Sequence, residues 1–366
     1  MIDKDIESVD SAPTLSQPQL FLKINLLAVL IVSGMFLLTL FGIGIFAYSK
    51  FSKFTQTAGI TKSDFLQTID DGWHREPIET NGFKNILVLG VDTLETRGDS
   101  KPLTDSIILS SINLKTGKIT LLPLPRDLWS QAYQTKINAL YTYGLDRNSS
   151  HPQEFPEQVI SEMIDLNIHH TLVISMENVA QIIDLVGGIV IDVEQGFVDQ
   201  KFPRTDVDVT IENDPAELFE TIEFKTGSQV MDGDTALKYI RSRHGDHEQN
   251  TDHARSTRQQ AVIEAVLKKM ISKKNILNAK LMAQLYDYYL LYFSQDLPVT
   301  ELIATAKQLL PHRDQIQLNN HQITIYPDDP SGAIEHPAQY LYDNQWVYVI
   351  RDQNKFELQI KNSLNN

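Results

Sequence analysis

Four arginines lie close together in the stretch DTALKYIRSRHGDHEQNTDHARSTRQQ, residues 234–260. They are Arg241, Arg243, Arg255 and Arg258, and they stand out because the whole chain carries a formal net charge of −15. A guanidinium group matches phosphate or carboxylate with two parallel hydrogen bonds, a geometry that a merely solubilising charge does not need. A site for a phosphorylated ligand is therefore one hypothesis for this stretch.

The alternative is a solvent-exposed helix face that carries ion pairs. Asp252 and Arg255 have the i,i+3 spacing that stabilises an exposed helix by roughly 0.2–0.5 kcal/mol. Arg241 and Arg243 fit this alternative less well, because they occupy alternate positions and run into His244, where the sequence is typical of a helix leading into a loop. The stretch alone does not decide between the two interpretations.

Acidic side chains flank the predicted strands in the first half of the chain. Asp92 ends the apolar run KNILVLGVD, and Asp105 opens the run DSIILSSIN. The run KITLLPLPRD then ends in the pair Arg126-Asp127. We expect these residues at one edge of a sheet, where α/β proteins usually place their sites. Two carboxylates in one small volume repel each other unless a cation joins them, and Mg²⁺ held by carboxylates and substrate phosphates suits this pattern.

Apolar and amphipathic segments alternate along the rest of the chain. KINALYTYG, PEQVISEMIDLN and MENVAQIIDLVGG have the pattern of helices, whereas HTLVIS and IVIDVE have that of short buried strands. A hairpin is predicted through Lys115–Lys118, a long helix at 252–273, two helices at 276–312 and a strand-rich segment at 321–360. This alternation predicts an α/β (α+β layered) fold, with a central mixed β-sheet flanked by helices.

Composition excludes several classes of function. The sequence pI of about 5.1 argues against nucleic-acid binding, which normally needs a basic face. The chain has no cysteine, so disulfides, thiolate catalysis and cysteine-based zinc sites are excluded. With 366 residues, of which 42% are hydrophobic, the chain can bury a sizeable core.

A long apolar segment near the N-terminus predicts a single transmembrane helix before the folded domain. Residues 24–49 carry no charge between Lys23 and Lys50, and about 20 apolar residues are enough to cross a bilayer. Lysines flank the span on both sides, so the positive-inside rule does not place the domain outside the cell. The predicted organisation is a polar tail at 1–22, the transmembrane helix at 23–50, a stalk at 51–82, a folded domain at 83–275 and a helical and small β extension at 276–366 that packs on it.

Seven motifs together resemble a known family. ILVLGVD, TDSIILSSIN, LPRD, KINALYTYG, IDLVGGIVIDV, ALKYIRSRH and DHARSTRQQ look like the LytR-CpsA-Psr family of membrane-anchored cell-envelope enzymes, in the family's order over about residues 84–270. The resemblance implies a single-pass anchor in the cell membrane, with a cytoplasmic tail at 1–22, an extracytoplasmic stalk at 51–82 and an extracytoplasmic catalytic domain at 83–275.

The same resemblance implies a chemistry. Family members are phosphotransferases that move a glycopolymer from a polyprenyl-pyrophosphate carrier to a cell-wall glycan hydroxyl. Carried over to this sequence, the resemblance implies Asp92 and Asp105 as Mg²⁺ ligands and catalytic residues. It implies that Arg126, Arg241, Arg243, Arg255 and Gln259 surround the pyrophosphate, with Arg126, Arg241 and Arg243 also catalytic. It adds Arg258, Lys136 and Asn138 as substrate-binding residues; Arg258 could instead support the site through an acidic partner, and loop bracing is an equal alternative for Lys136 and Asn138.

The sequence departs from the family pattern in TDHAR, in YTYGLDRNSS and at Leu103, and two alternative functions remain. Leu103 stands where the family usually has an arginine, which removes one cation next to Asp105. A polyprenyl-pyrophosphate pyrophosphatase would use the same residues with water as acceptor. A non-catalytic envelope lipid-binding or regulatory protein is the other alternative, although the carboxylates argue against it.

Overall fold

The computed structural model describes residues 41, 44–92, 101–204, 207, 214–270 and 272–365. The chain divides into two compact units, Met1–Phe54 and Thr55–Asn366. The predicted tail at 1–22 and most of the predicted span at 23–50 lie outside the described residues. Within the described part of the chain, no helix combines the length and the apolar character needed to cross a membrane.

The second unit is a mixed α/β structure. Its strands are β1 (Phe83–Asp92), β2 (Leu103–Asn113), β3 (Lys118–Pro123), β4 (Trp129–Ser130), β5 (Thr135–Lys136), β6 (His170–Ser175), β7 (Ile189–Val193), β8 (Phe197–Pro203), β9 (Phe219–Phe224), β10 (Gly227–Met231), β11 (Gln317–Asn320), β12 (Ile325–Tyr326), β13 (Ile334–Glu335) and β14 (Val349–Ile350). Its helices are α1 (Lys62–His74), α2 (Leu140–Arg147), α3 (Glu154–Ile164), α4 (Met176–Leu185), α5 (Pro215–Leu218), α6 (Gly233–Arg241), α7 (Asp252–Met270), α8 (Lys273–Ile276), α9 (Ala279–Tyr292), α10 (Val299–Leu309) and α11 (Gln353–Asn365).

The central sheet has five strands in the order β11-β3-β2-β1-β6. β1, β2 and β3 are joined antiparallel, whereas β6 runs parallel to β1 and β11 runs parallel to β3. The predicted turn between β2 and β3 is present, with Gly117 at a φ of +78° and the Asn113 side chain accepting a hydrogen bond from the Lys115 amide at 3.0 Å. The prediction of a central mixed sheet flanked by helices is therefore confirmed.

Two hydrophobic cores stabilise the unit. The first contains Leu87 and Leu89 of β1 and extends to Phe155 of α3 and Phe356 of α11. The second lies among α4, α6, α7 and the strand pairs β7–β10 and β8–β9. Alternate side chains of β1 face opposite sides of the sheet. Leu87 and Leu89 therefore lie on the buried face, and Ile86 and Val88 lie on the other face, where they are half-buried.

Two elements differ from the expectations drawn from the sequence. IVIDVE does form a strand, β7, but it pairs with β10 in a separate two-stranded sheet and lies outside the central one. The C-terminal segment was expected to be strand-rich, and its three short strands β12, β13 and β14 do form a small sheet. It ends, however, in the helix α11, whose buried residues Phe356, Ile360 and Leu364 recur every fourth position.

A buried ion pair connects the C-terminal half of the chain to the central sheet. Lys84 of β1 binds Glu301 of α10, and both side chains are only 1% exposed. Arg75, directly after α1, lies 3.4 Å from the other oxygen of the same carboxylate. A charge this deeply buried requires a partner, so the pair fixes α10, and with it the chain at Arg75, against β1.

Candidate active site

Asp105 is placed by an irregularity in the central sheet. Gly90 pairs with Ser106 and Val91 with Thr104, which leaves Asp105 as an extra residue on β2. Such a bulge redirects the side chain at that position and is common next to active sites. A Cβ atom at position 90 would lie 2.9 Å from the Ser106 Cβ, so the close approach of the two strands requires glycine.

The carboxylate of Asp105 joins two arginines from distant parts of the sequence. Arg126 Nη1 lies 2.5 Å from Oδ1, and Arg243 Nη2 lies 2.5 Å from Oδ2. Burial alone would raise the pKa of Asp105, but the guanidinium groups of Arg243 and Arg126 outweigh it and hold that pKa below its ordinary value. Asp105 is therefore ionised at neutral pH.

The segment that follows β3 holds Arg126 in position. Asp127 is 6% exposed, accepts a hydrogen bond from Lys136 Nζ at 2.8 Å, and lies 3.4 Å from Arg126 Nε. The backbone amide of Asn138 donates to the Arg126 carbonyl at 3.1 Å, and the backbone carbonyl of Asn138 accepts from the Thr104 hydroxyl at 3.1 Å. These contacts brace the loop, and substrate binding by Lys136 and Asn138 stays a prediction.

Three arginines surround a small cavity beside Asp105. The cavity has a volume of about 140 Å³, and Arg241, Arg243 and Arg255 line it together with Gln259. Arg241 is the last residue of α6, and Arg255 lies in the first turn of α7, where the helix end also favours anions. The cavity combines several guanidinium donors in a volume suited to a phosphate group.

A second and larger cavity of about 950 Å³ adjoins the first. Asp105, Arg255 and Gln259 line both cavities, so these three residues mark their junction. Arg126 and Asp127 line only the larger cavity. The predicted residues Asp105, Arg126, Arg241, Arg243, Arg255 and Gln259 are thus brought together around one junction.

Arg258 has different surroundings and lines neither cavity. It is 2% exposed and donates to the carbonyl oxygens of Tyr239 at 2.8 Å and Ser242 at 2.6 Å. It also donates to the backbone and side-chain oxygens of Gln249, each at 3.0 Å. Arg258 therefore ties α7 to the end of α6 and to the loop that carries Arg243, which is a supporting position.

Asp199 is a buried acidic residue that the sequence did not single out. It is fully buried on β8, and its Oδ2 accepts hydrogen bonds from the Ser242 hydroxyl at 2.7 Å and from the amides of Arg243 at 3.2 Å and His244 at 3.1 Å. The Lys201 amide donates to Oδ1 at 2.9 Å. Burial acts to raise the pKa of Asp199, but these hydrogen bonds lower it below its ordinary value, so the charged form organises the loop that carries Arg243.

Asp92, the other expected metal ligand, ends β1 next to Leu103 of β2. Its backbone belongs to the described part of the chain, but its side chain does not. Leu103 is 42% exposed. Among the side chains that are described, no group of three or more His, Asp or Glu residues is arranged to hold a metal ion.

The fold is a mixed α/β structure with a bulged central sheet and an arginine-lined cavity beside Asp105. The model of the LytR_cpsA_psr family matches residues 45–363, most of the chain. The chain belongs to this family, and the resemblance seen in the sequence motifs is confirmed.

Individual relatives are distant. Biofilm regulatory protein A from Streptococcus mutans is 27% identical over 70% of this chain and 60% of its own length, so the chain spans less than two thirds of that protein. A Bacillus cereus protein named polyisoprenyl-teichoic acid–peptidoglycan teichoic acid transferase TagU is 25% identical over 93% of this chain and 94% of its own. The crystal structure of B. subtilis TagV is 22% identical, with a TM-score of 0.52 over 78% of this chain and 98% of that one, and supports the same fold.

Proposed function

We propose that this protein is a phosphotransferase that moves a glycopolymer from a polyprenyl-pyrophosphate carrier to a hydroxyl group of a cell-wall or envelope glycan. The observation that carries the proposal is the junction of an arginine-lined cavity with a larger one at Asp105, Arg255 and Gln259. The Bacillus cereus relative, whose name describes such a transfer, supports the reaction class.

The small cavity would bind the pyrophosphate. Arg241, Arg243 and Arg255 offer charged donors to phosphate oxygens, and Arg126 approaches the same junction through Asp105. In a partly desolvated site, fixed guanidinium groups stabilise the charge that develops during phosphoryl transfer. The arrangement favours a pyrophosphate over a neutral ligand because three arginines and a single carboxylate, Asp105, line the small cavity.

The second face of β1 offers a surface for the polyprenyl chain. Leu87 and Leu89 are fully buried in the first core, whereas Ile86 and Val88, which alternate with them, are only half-buried. Leu172 of β6 pairs with Val88 and is half-buried as well. This apolar face runs along β1 towards Gly90 and the bulge at Asp105, so a lipid tail lying on it would present its pyrophosphate to the arginines.

The transfer itself requires no covalent enzyme intermediate. The acceptor oxygen forms a bond to the phosphorus that carries the glycan, the pyrophosphate P–O bond breaks, and polyprenyl phosphate leaves with the electron pair. Arg241, Arg243 and Arg255 hold the phosphates in line and neutralise the leaving group. The proton of the attacking hydroxyl passes to the departing polyprenyl phosphate or to water, because the low pKa of Asp105 makes that carboxylate a poor acceptor for it.

Magnesium is part of the proposal. Asp105 is an ionised carboxylate at the cavity junction, and Asp92 ends the adjacent strand, so hard oxygen ligands of the kind Mg²⁺ prefers are available. Both oxygens of Asp105 already contact guanidinium groups, so a bound ion would share or replace one of these contacts. The ion would be held by Asp92, Asp105 and phosphate oxygens, and it would supply further charge neutralisation.

We expect transfer by the wild type to fall on chelation and to recover with added Mg²⁺. Asp105→Ala should remove this response while the protein stays folded, because the carboxylate would be one of the shared ligands. Asp146→Ala is a matched control, since Asp146 is an exposed carboxylate bound to Lys101 at 2.6 Å. A wild-type rate that is unaffected by chelation would remove magnesium from the proposal.

We also propose that residues 23–50 anchor the protein in the cell membrane, with the catalytic domain outside the cytoplasm. The support is the uncharged run at 24–49 and the nature of the proposed acceptor, which lies in the envelope. Two reporters fused to the C-terminus test this orientation. A reporter that is active only outside the cytoplasm should be active, and one that is active only in the cytoplasm should be inactive. Activity of the cytoplasmic reporter alone would reverse the orientation.

The proposed function is tested by incubating the protein with a defined polyprenyl-pyrophosphate glycan, with and without a cell-wall fragment as acceptor, and analysing the products by mass spectrometry. Transfer predicts a glycan joined to the acceptor through a phosphodiester, together with polyprenyl phosphate. Release of glycan phosphate without any joined product identifies the pyrophosphatase alternative. Binding of the donor without any conversion would favour the non-catalytic one.

A further inference from the structure

The larger cavity differs chemically from the arginine-lined one. Its arginines, Arg126 and Arg255, stand beside Asp105, and the rest of its polar lining consists mainly of neutral amides, hydroxyls and carboxylates. Gln195, Asn250 and Gln322 are among these side chains. Amides and carboxylates offer both donors and acceptors to hydroxyl groups, whereas a second phosphate would meet the carboxylates with repulsion.

An exposed tryptophan forms part of the same wall. Trp346 lines the cavity and is 46% exposed, although the His336 ring stacks on it with centroids 3.5 Å apart and an angle of 28°. His336 Nδ1 donates to the Val347 carbonyl at 2.7 Å, which fixes the imidazole beside the indole. Tyr348, also in the cavity wall, packs edge-on against Trp346 at 6.4 Å. The indole is thus an oriented aromatic surface with an accessible part.

The C-terminal segment is hydrogen-bonded to the segment after β3 that carries Arg126. The Tyr348 amide donates to the Asp127 carbonyl at 2.9 Å, and the Trp129 amide donates to the Tyr348 carbonyl at 2.7 Å. These bonds lie next to Arg126, which binds Asp105. Trp346 is therefore held at a fixed position relative to the junction where the phosphate chemistry is proposed.

We propose that the larger cavity is a saccharide subsite, in which Trp346 is the platform for a pyranose ring and the amide and carboxylate side chains bind its hydroxyl groups. This inference rests on the proposed function and identifies where the sugar next to the transferred phosphate lies. An aromatic ring packs against the apolar C–H face of a sugar, and the polar groups around it set the orientation. The volume of about 950 Å³ is near the upper end of the roughly 300–1,000 Å³ usual for ligand pockets, which suits a chain of sugars.

A lipid tail is a poorer occupant of this cavity. Ile107, Leu124 and Ile323 contribute apolar surface, but a hydrocarbon chain would also take Gln195, Asn250 and Gln322 out of water without replacing their hydrogen bonds. A sugar chain satisfies both kinds of surface. The sugar can belong to the donor glycan or to the acceptor, and the two sources share the same chemistry.

Binding of a soluble oligosaccharide tests the subsite without any lipid substrate. Chitotetraose is titrated into the full-length protein, and binding is followed by saturation-transfer NMR. We expect saturable binding that is at least tenfold weaker in Trp346→Ala and partly restored in Trp346→Phe. Trp73→Ala is the matched control, because Trp73 is 48% exposed and lies on α1. Circular dichroism establishes that each variant is folded.

Transfer kinetics identify which sugar is bound. A rise of at least tenfold in KM for the acceptor in Trp346→Ala assigns the subsite to the acceptor, and a similar rise for the donor assigns it to the donor glycan. If Trp346→Ala changes neither oligosaccharide affinity nor either KM, or weakens only the binding of polyprenyl phosphate, the subsite is refuted. Oligosaccharide binding through Trp346 in a protein that transfers nothing would leave the subsite standing and refute the transferase. Transfer that does not depend on Trp346 would support the transferase and refute the subsite.

Discussion

Replacing Arg243 with lysine should lower the rate of transfer about a hundredfold, which corresponds to a loss of ~3 kcal/mol of transition-state stabilisation. The Arg243 guanidinium contacts Asp105 at 2.5 Å and also lines the small cavity, so it can hold a phosphate oxygen and the carboxylate at once. A lysine ammonium is a point charge that cannot reproduce this two-sided contact. Arg241→Lys should behave similarly, because Arg241 lines the same cavity.

Lys268→Arg is the control for this experiment. Lys268 lies on the exposed side of α7, 73% exposed, and pairs with Glu264. Exchange of one cation for another there should change neither the rate nor the unfolding midpoint, because exposed ion pairs contribute little to stability. If folded Arg243→Lys protein retains a near-normal rate, the arginines form an ordinary solvated ion-pair network. That result would refute the proposed pyrophosphate site.

Local patterns in the sequence predicted the elements that carry the site. The apolar run before Asp92, the turn at Lys115–Lys118 and the helix exit after Arg241 are short-range features, and each is present in the structure. The position of Asp105 at a strand edge was also predicted, but the bulge that directs its side chain depends on the register between β1 and β2. That register is a long-range property, because it is fixed by the pairing of two strands and not by either sequence alone.

Features that depend on distant pairing could not be predicted. Arg258 carries the same charge as Arg255 three residues earlier on α7, yet one is tied to backbone carbonyls and the other lines both cavities. Trp346 stands 220 residues after Arg126 in the sequence, and contacts between their segments, hydrogen bonds among them, bring it to the same cavity. Helix α11 was predictable in principle, because Phe356, Ile360 and Leu364 have helical spacing.

Asp199 shows how such a distant residue can control the site. It lies on β8, 44 positions before Arg243, in a segment with no recognisable catalytic motif. Its carboxylate nevertheless accepts hydrogen bonds from the backbone of Arg243 and His244 and from the Ser242 hydroxyl. Because Asp199 touches neither cavity, we interpret it as a positioning residue that acts through Arg243.

Asp199→Asn should therefore lower both stability and transfer. The amide keeps only one acceptor oxygen and turns an NH₂ group towards N–H and O–H donors, so at least one buried donor loses its partner. Such a loss costs about 1–3 kcal/mol, and more where the acceptor was charged. We expect the free energy of unfolding to fall by ~2–4 kcal/mol in denaturant titrations and the transfer rate to fall at least tenfold. Asp192→Asn is the matched control, since Asp192 is an exposed carboxylate on β7.

A double variant separates positioning from a general loss of stability. If Asp199 acts on the reaction through Arg243, then Asp199→Asn combined with Arg243→Lys should transfer at about the rate of Arg243→Lys alone, because the contact being positioned is already lost. Residues that act independently would instead multiply their effects on the rate. Rates are compared at a temperature where circular dichroism shows all variants folded. Multiplicative effects, or an Asp199→Asn protein that is destabilised but transfers normally, would confine Asp199 to a structural role and leave the placement of Arg243 to Arg258 and the end of α6.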